Sequence, residues 1–352
     1  MSRLRREKRL ISEPFEYSSI GENLVEPLFK IIKSLSKGKV FKTFLLSVSW
    51  PPLTDTAKSV YRREVQYSLT ELIVQELGKT IDFHDFEVEF NVDFVKKRVF
   101  MHLSPLFVKG NYCKFSRIIA QTKHFCPKCK GRGKYYGEFC GRCEGKGFLS
   151  KESVAQLIAP FFLKEFKAEE YIFHGAGRED ADVKMLGTGR PFIIEIQNPS
   201  LRETELGKLE QKINKKLKDK VSLNSLEKVN KKEVALLKTA EHEKIYSALV
   251  SCSTKPELKK LKLNKKITLK QRTPNRVSKR RVDLIRNKVV EILETEETKN
   301  EKEFILKLKT SHGTYVKEFV SGDDGRTIPS ISSMLKIKCV CKELDVLEIC
   351  KS

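Results

Sequence analysis

Residues 171–199 read YIFHGAGREDADVKMLGTGRPFIIEIQNP. Both ends are rich in aromatic and β-branched residues, as buried strands are. The middle is polar, with Gly175, Gly177, Gly187 and Gly189 set among Arg178, Glu179, Asp180, Asp182 and Arg190. Strands at 170–174 and 191–197 would therefore bracket a glycine-rich loop carrying three acids and two arginines. Such a loop, fixed at both ends by buried strands, is a place for a positioned carboxylate. A surface loop with local Arg–acid pairing accounts for the same residues. A phosphate cradle does not, because neither GxGxxG nor a GK[ST] ending is present. Ser-His-Asp chemistry also fails: no GxSxG elbow exists and the six His are scattered, His174 reading as a strand-end packing residue.

Outward from this stretch, residues 40–50 (VFKTFLLSVSW) read as a buried strand ending at Pro51-Pro52. Residues 56–78 read as an amphipathic helix, with Val60, Val65, Leu69, Leu72, Ile73 and Leu77 at helical spacing and Gly78 as its stop. Segments 86–92 and 99–107 form a strand pair. Ser153 caps a helix that opens the second half. Further strands are expected at 244–252 and 303–309, and helices at 206–220 and 280–293. Residues 210–232, rich in Lys, Glu and Asn, read as a helix with a lysine-rich extension. Strands and helices alternate without a βαβ rhythm, so the class is α+β rather than doubly wound. The expected division is a first region at 1–150 and a second domain at 151–352.

Charge narrows the function. The 352 residues hold 69 Lys and Arg against 46 Asp and Glu, a net of +23. That surplus calls for a polyanionic partner, nucleic acid before membrane. No apolar run reaches the ~18–20 residues of a spanning helix. The start, MSRLRREKRLISEP, has no apolar stretch behind its charges and is not a secretory signal. About half the surplus lies at 255–288, where fourteen Lys and Arg face only Glu257 and Asp283. There Arg276, Lys279, Arg280, Arg281 and Arg286 interleave with Val277, Val282, Leu284 and Ile285, the pattern of an element with one apolar face and one phosphate-facing face.

Nine cysteines are present, and four form two CxxC turns, Cys126-Pro-Lys-Cys129 and Cys140-Gly-Arg-Cys143, each followed by two glycines. Each turn brings two thiolates to one ion, and two turns complete a closed tetrahedral Cys₄ site for one structural Zn2+. A closed site staples rather than catalyses. Its basic residues Lys128, Lys130, Arg132, Lys134 and Arg142 are available to touch RNA. Cys113, Cys252, Cys339, Cys341 and Cys350 read as ordinary buried or tail residues, and thiols in this number fit a reducing compartment.

Gly177-Arg178-Glu179-Asp180-Ala181-Asp182-Val183, followed by Leu186-Gly187-Thr188-Gly189-Arg190-Pro191-Phe192, resembles the catalytic loop of pseudouridine synthases. It is similar in particular to the archaeal and eukaryotic family acting on the TΨC arm of tRNA at uridine 54 or 55, the Pus-ten family. Lys244-Ile245-Tyr246-Ser247-Ala248-Leu249 resembles that family's tyrosine strand. Gly313-Thr314-Tyr315-Val316-Lys317-Glu318, with the run from Ser321 to Ser330, resembles its C-terminal motif. The basic stretch from Gln271 to Arg281 lies where the family has a similar one, and the matches span roughly 110–335.

The resemblance implies an isomerase that breaks the uridine N-glycosidic bond, rotates the base and rejoins it through carbon, with no metal, redox or nucleotide cofactor in the reaction. The fold it implies is a THUMP-like RNA-binding region carrying the Cys₄ knuckle, then a catalytic domain on a mixed, mostly antiparallel sheet. The family's catalytic aspartate falls on Asp180. Tyr246 takes the place of the tyrosine that stacks on the base, with Val316 packing on the other side. Lys317 stands where a cation pairs with the aspartate. Tyr315 belongs to the same substrate-binding motif, and Arg178 is expected at the flipped nucleotide. The partner implied is tRNA, bound by a monomer in the cytoplasm, or in the nucleus of a eukaryote. One departure stands out: no cysteine pair precedes Cys113, where members of the family often carry one, and an abbreviated first half is one reading of that. Two other classes compete. One is a non-catalytic tRNA-binding or tRNA-folding chaperone on the same scaffold. The other is a DnaJ-like co-chaperone, which would need four CxxCxGxG repeats and an HPD motif; the chain has two repeats and no HPD.

Overall fold

The computed structural model describes residues 11–17, 23–123, 125–149, 152–278 and 281–350. The basic N-terminal start, Lys279 and Arg280 lie outside the described residues. Two sheets carry the fold, each with its own core. The first has five strands in the order Ile11–Pro14, Arg98–Leu103, Val88–Asp93, Thr43–Ser49, Thr80–Ile81. Its buried positions alternate along the strands: Phe44 and Leu46, Val88, Phe90 and Val92, Val99, Met101 and Leu103. Helix Val25–Ser36 covers them with Leu28, Phe29, Ile32 and Leu35. The helix expected at 56–78 is present as Asp55–Tyr61 and Ser68–Leu77, joined by a π-helical turn at Arg62–Tyr67 and capped by the Thr54 hydroxyl. Val65, Leu69 and Ile73 face the core.

The second sheet has ten strands. In order they are Val221–Val229, Leu106–Lys114, Val183–Gln197, Cys339–Ile349, Lys244–Cys252, Glu303–Thr310, Ile285–Glu297, Lys266–Arg272 and Thr327–Ile328, with Glu170–Gly175 also paired to Val183–Gln197. Its one parallel pairing among the described residues joins Val183–Gln197 to Cys339–Ile349. The α+β class and the mixed, mostly antiparallel sheet are as expected. Strand Leu106–Lys114 lies before the cysteine turns in sequence yet belongs to this sheet, whereas the first core ends at Leu103.

Three segments differ from expectation. The strand expected at 191–197 begins at Val183, inside the expected loop, because 183–185 pair with residues 344–346. The helix expected at 280–293 is absent among the described residues: Ile285–Glu297 is a strand paired on both sides. Val290 and Ile292 are buried while Val289 and Glu291 are not, so the operative period is two, which β-branched residues favour. The 206–220 helix ends at Lys216, and the expected lysine-rich extension is instead the edge strand Val221–Val229, with Val221 and Leu223 turned inward. The helix predicted to follow Ser153 is present as Val154–Glu165, and the Ser153 hydroxyl accepts from the Gln156 amide at 3.3 Å. Polar contacts link the two units: Arg202 pairs with Glu87 at 3.2 Å and donates to the Ser104 carbonyl, and Lys42 pairs with Glu203 at 3.0 Å.

Candidate active site

The long strand Val183–Gln197 carries a bulge between Met185 and Arg190. Gly187 sits there at φ +60°, and a Cβ on it would lie 1.9 Å from the Leu347 carbonyl oxygen. Only glycine fits where the neighbouring strand approaches so closely, which is the physical content of the Gly-Thr-Gly pattern. The bulge turns Arg190 inward, where it is 2% exposed and pairs with Glu179 at 2.7 Å. Glu179 also accepts the Tyr112 hydroxyl proton between its two oxygens, at 2.8 and 2.9 Å. Gln121 donates to that hydroxyl and to the Gly177 carbonyl. Burial opposes the charge on Arg190, but the facing Glu179 more than offsets it and holds the guanidinium pKa above its ordinary value. The next carbonyls are gripped by Lys114, which is fully buried and donates to Ile119, Asp180 and Ala181. Burial brings its pKa down to about 8.

With Glu179 locked inward, Asp180 is turned toward a cavity of about 540 Å³. Its Oδ2 lies 2.9 Å from Arg276 Nη1 and 3.8 Å from Lys317 Nζ. The same cavity brings together Tyr246, Tyr315, Val316, Lys317 and Arg178, all the residues singled out from the sequence around Asp180. Lys317 is shared unequally: its closer partner is Asp182 at 2.7 Å, and that contact outweighs the opposing effect of burial to lower the Asp182 pKa. Tyr246, half-buried on strand Lys244–Cys252, has its hydroxyl pKa raised by burial. Lys244, at the start of the same strand, is brought down to about 8 by burial and by Arg190.

Arg276 is the residue the sequence reading placed only in the general basic stretch. Its Nε bonds Glu318 at 2.6 Å while Nη1 takes Asp180, so one guanidinium spans two carboxylates. Burial acts against its charge, but Glu318 and then Asp180 raise its pKa overall. The loop carrying it is itself pinned. Arg326 donates twice to the Thr273 carbonyl and pairs with Asp283 at 2.7 Å, and the Asn275 amide bonds Asp323. Gln271 donates to the Tyr315 carbonyl and accepts from its amide, tying this loop to the start of helix Val316–Ser321. The sequence marked the two stretches that hold this set, Gln271 to Arg281 and Ser321 to Ser330, but not the pairings between them. The arrangement presents one carboxylate to a cavity of about 540 Å³, with aromatic walls and cations beside it.

The four cysteine sulfurs, Cys126, Cys129, Cys140 and Cys143, lie within 4.8 Å of one another and are buried in a cluster of their own. Two cross pairs stand 3.8 and 3.7 Å apart, close to the ~3.8 Å edge of a tetrahedron with 2.3 Å metal–sulfur bonds. The Gly147 amide donates to Cys143 Sγ at 3.2 Å, as amides do around thiolate ligands. The donor set fits a metal ion. Cys252 and Cys339 are buried and adjacent across two strands. Among the described residues, no helix is long and apolar enough to cross a membrane.

A family model described as "Pus10, C-terminal" matches residues 107–350. Similar curated proteins include the tRNA pseudouridine synthase Pus10 of Methanocaldococcus jannaschii, 39% identical over 79% of this chain and 60% of that protein. The Pus10 proteins of Methanosphaera stadtmanae and Pyrococcus furiosus are 35% and 34% identical, over 94% and 93% of this chain and 88% and 81% of their own lengths. This chain therefore spans three-fifths of the first relative and most of the other two. Among solved structures, a chain of a Cbf5-Nop10-Gar1 complex overlays 55% of this chain and 44% of its own, with 16% identity and a TM-score of 0.31.

Proposed function

Because this chain belongs to the Pus10 family, we propose that it isomerises uridine to pseudouridine in tRNA, with Asp180 as the acting carboxylate. The observation that carries the proposal is the position of Asp180: it faces a cavity lined by Tyr246, Tyr315 and Val316, and Arg276 holds its Oδ2 at 2.9 Å. In the reaction the N1–C1′ bond breaks, the base turns, and C5 bonds to C1′; C5 loses a proton and N1 gains one. The Asp180 carboxylate can add to C1′ or accept a proton from the sugar. Tyr246 stacks on the base and Val316 packs on its other face. Lys317 and Arg276 hold the charge on Asp180, and Arg178 and Tyr315 meet the backbone of the flipped nucleotide.

The target in this reading is the TΨC arm, at uridine 54, uridine 55 or both. The first region serves as a THUMP-like docking module and the cysteine cluster holds one structural Zn2+, whose closed thiolate shell gives it no step in the reaction. The protein acts as a monomer in the cytoplasm. The test is pseudouridine mapping on unmodified tRNA transcript with wild type and Asp180→Asn. New pseudouridine in the TΨC arm with wild type alone, at unchanged tRNA binding, is the expected result. A well-folded wild type that binds tRNA and makes none would replace the enzyme with a tRNA-binding chaperone.

A further inference from the structure

The cysteine cluster sits in a small ribbon whose tip is built against the usual preferences of a hairpin. Strands Lys134–Tyr135 and Glu138–Phe139 pair with Tyr135 opposite Glu138, leaving Tyr136-Gly137 as a two-residue turn. Both turn residues have positive φ, +52° and +87°. Asn, Asp and Gly suit the first of these positions, whereas a bulky aromatic there is strained. The strain gains no burial: Tyr136 is 90% exposed and Phe139 is 78% exposed. Tyr135 packs edge-on against Tyr136 with ring centroids 4.5 Å apart, and Lys128 lies over the Tyr135 ring at 5.1 Å. Phe139 lies against Gly145 of the second cysteine turn, but the ribbon's buried core is the four cysteines and the exposed Tyr136 ring is not part of it.

Charge identifies what the rings meet. Residues 123–149 carry seven Lys and Arg against Glu138 and Glu144, and Lys128, Lys130, Lys134 and Arg142 are all exposed. Exposed aromatic faces among solvated cations are the equipment for unpaired nucleotides, since any base offers a face to stack on and every phosphate a charge to meet. A duplex hides its base faces and would use only the cations. We propose that the ribbon tip is a stacking site for an unpaired nucleotide of the bound RNA, with Tyr136 taking the base and the neighbouring lysines its phosphates. The site is separate from the Asp180 cavity and rests on RNA being the partner, as in the function proposed above.

The turn geometry supplies a clean test. Tyr136→Asn places a residue that prefers the left-handed conformation at that corner, so a purely structural role predicts unchanged or improved folding and unchanged binding. Binding is measured by fluorescence anisotropy with an unstructured oligoribonucleotide of about 12 nucleotides and with the same strand annealed to its complement. The stacking site predicts that Tyr136→Asn, with its zinc content intact, loses about 10-fold in affinity for the single strand and little for the duplex, while Tyr136→Trp keeps its affinity. The salt dependence of Tyr136→Asn stays that of wild type, because no phosphate contact is lost. Equal affinity of Tyr136→Asn and wild type for the single strand overturns the proposal, as does an equal loss on both RNAs. Pseudouridine formation by wild type is scored in parallel. Absence of pseudouridine alongside a Tyr136-dependent single-strand preference would remove the catalytic reading and leave the stacking site standing.

Discussion

Replacing Glu179 by Ala tests what holds the loop under Asp180. The Glu179 and Arg190 side chains are each 2% exposed and meet at 2.7 Å. Removing the carboxylate leaves the guanidinium buried with the Ala176 carbonyl as its remaining hydrogen-bond acceptor, and takes both acceptor oxygens from the Tyr112 hydroxyl. Breaking a buried ion pair on one side costs about 3–5 kcal/mol, and a buried hydroxyl without its acceptor about 1–3 kcal/mol. The two effects share one network and do not add, so about 4 kcal/mol is expected, a large part of the ~5–15 kcal/mol of a domain. The loss should be strongly coupled to Arg190. In guanidinium unfolding, Glu179→Met and Arg190→Met each destabilise by several kcal/mol, whereas the double variant recovers most of the loss because no charge is left buried alone. Additive losses, or a single-variant cost under about 1 kcal/mol, would refute the clamp, since an exposed pair gives values that small.

Arg276→Ala should cost about 1–3 kcal/mol in the same unfolding assay, because Glu318, 6% exposed, is left without its partner. It should also slow single-turnover pseudouridine formation more than it weakens tRNA binding, and an unchanged rate would remove Arg276 from the site. Lys114 predicts a pH effect. Its folded pKa of about 8 lies below the ordinary 10.5, so between those values the unfolded chain binds more protons and stability rises with pH, by about 3 kcal/mol in all. Lys114→Met should flatten that rise, and parallel wild-type and variant curves across the window would contradict it. Metal analysis should find one zinc per chain. Chelation should open residues 125–148 to proteolysis while leaving both sheets intact, because the four cysteines form a cluster apart from either sheet core; far-UV circular dichroism that collapses on chelation would count against this.

Features fixed by local geometry were readable from the sequence. The paired CxxC turns and the Ser153 cap each depend on residues within a few positions of one another, whereas the bulge that carries strand Val183–Gln197 through the expected loop does not show in its glycines alone. Pairings between distant residues were not. Arg276 reaches Asp180 across 96 residues, and nothing in the local pattern distinguishes it from the other cations of a basic run. Strand Leu106–Lys114 shows an ordinary apolar strand pattern, which does not encode that its partners lie at 183–197 and 221–229. The misread strand Ile285–Glu297 has the same origin. Cations interleaved with Val, Leu and Ile match an amphipathic helix as well as a strand in a short window, and the choice is made by neighbours that the window does not contain.

The charges at the site are arranged so that Asp180 is the replaceable end of a chain. Glu318 is buried on helix Val316–Ser321 and holds Arg276 by Nε; Arg276 then offers Nη1 to Asp180, which is 44% exposed. Were Asp180 the only anchor of the guanidinium, engaging a sugar would leave the cation unpaired and raise the barrier. With Glu318 as the fixed anchor, the proposed role of Asp180 is compatible with Arg276 staying in place, and the hydrogen bonds from Arg326 to Thr273 hold the supporting loop. Lys317 repeats the scheme from the other side, with Asp182 as its closer anchor at 2.7 Å. Each cation near Asp180 is thus held by a different acid, so the positive field around Asp180 is set by the scaffold and persists when its own contacts change.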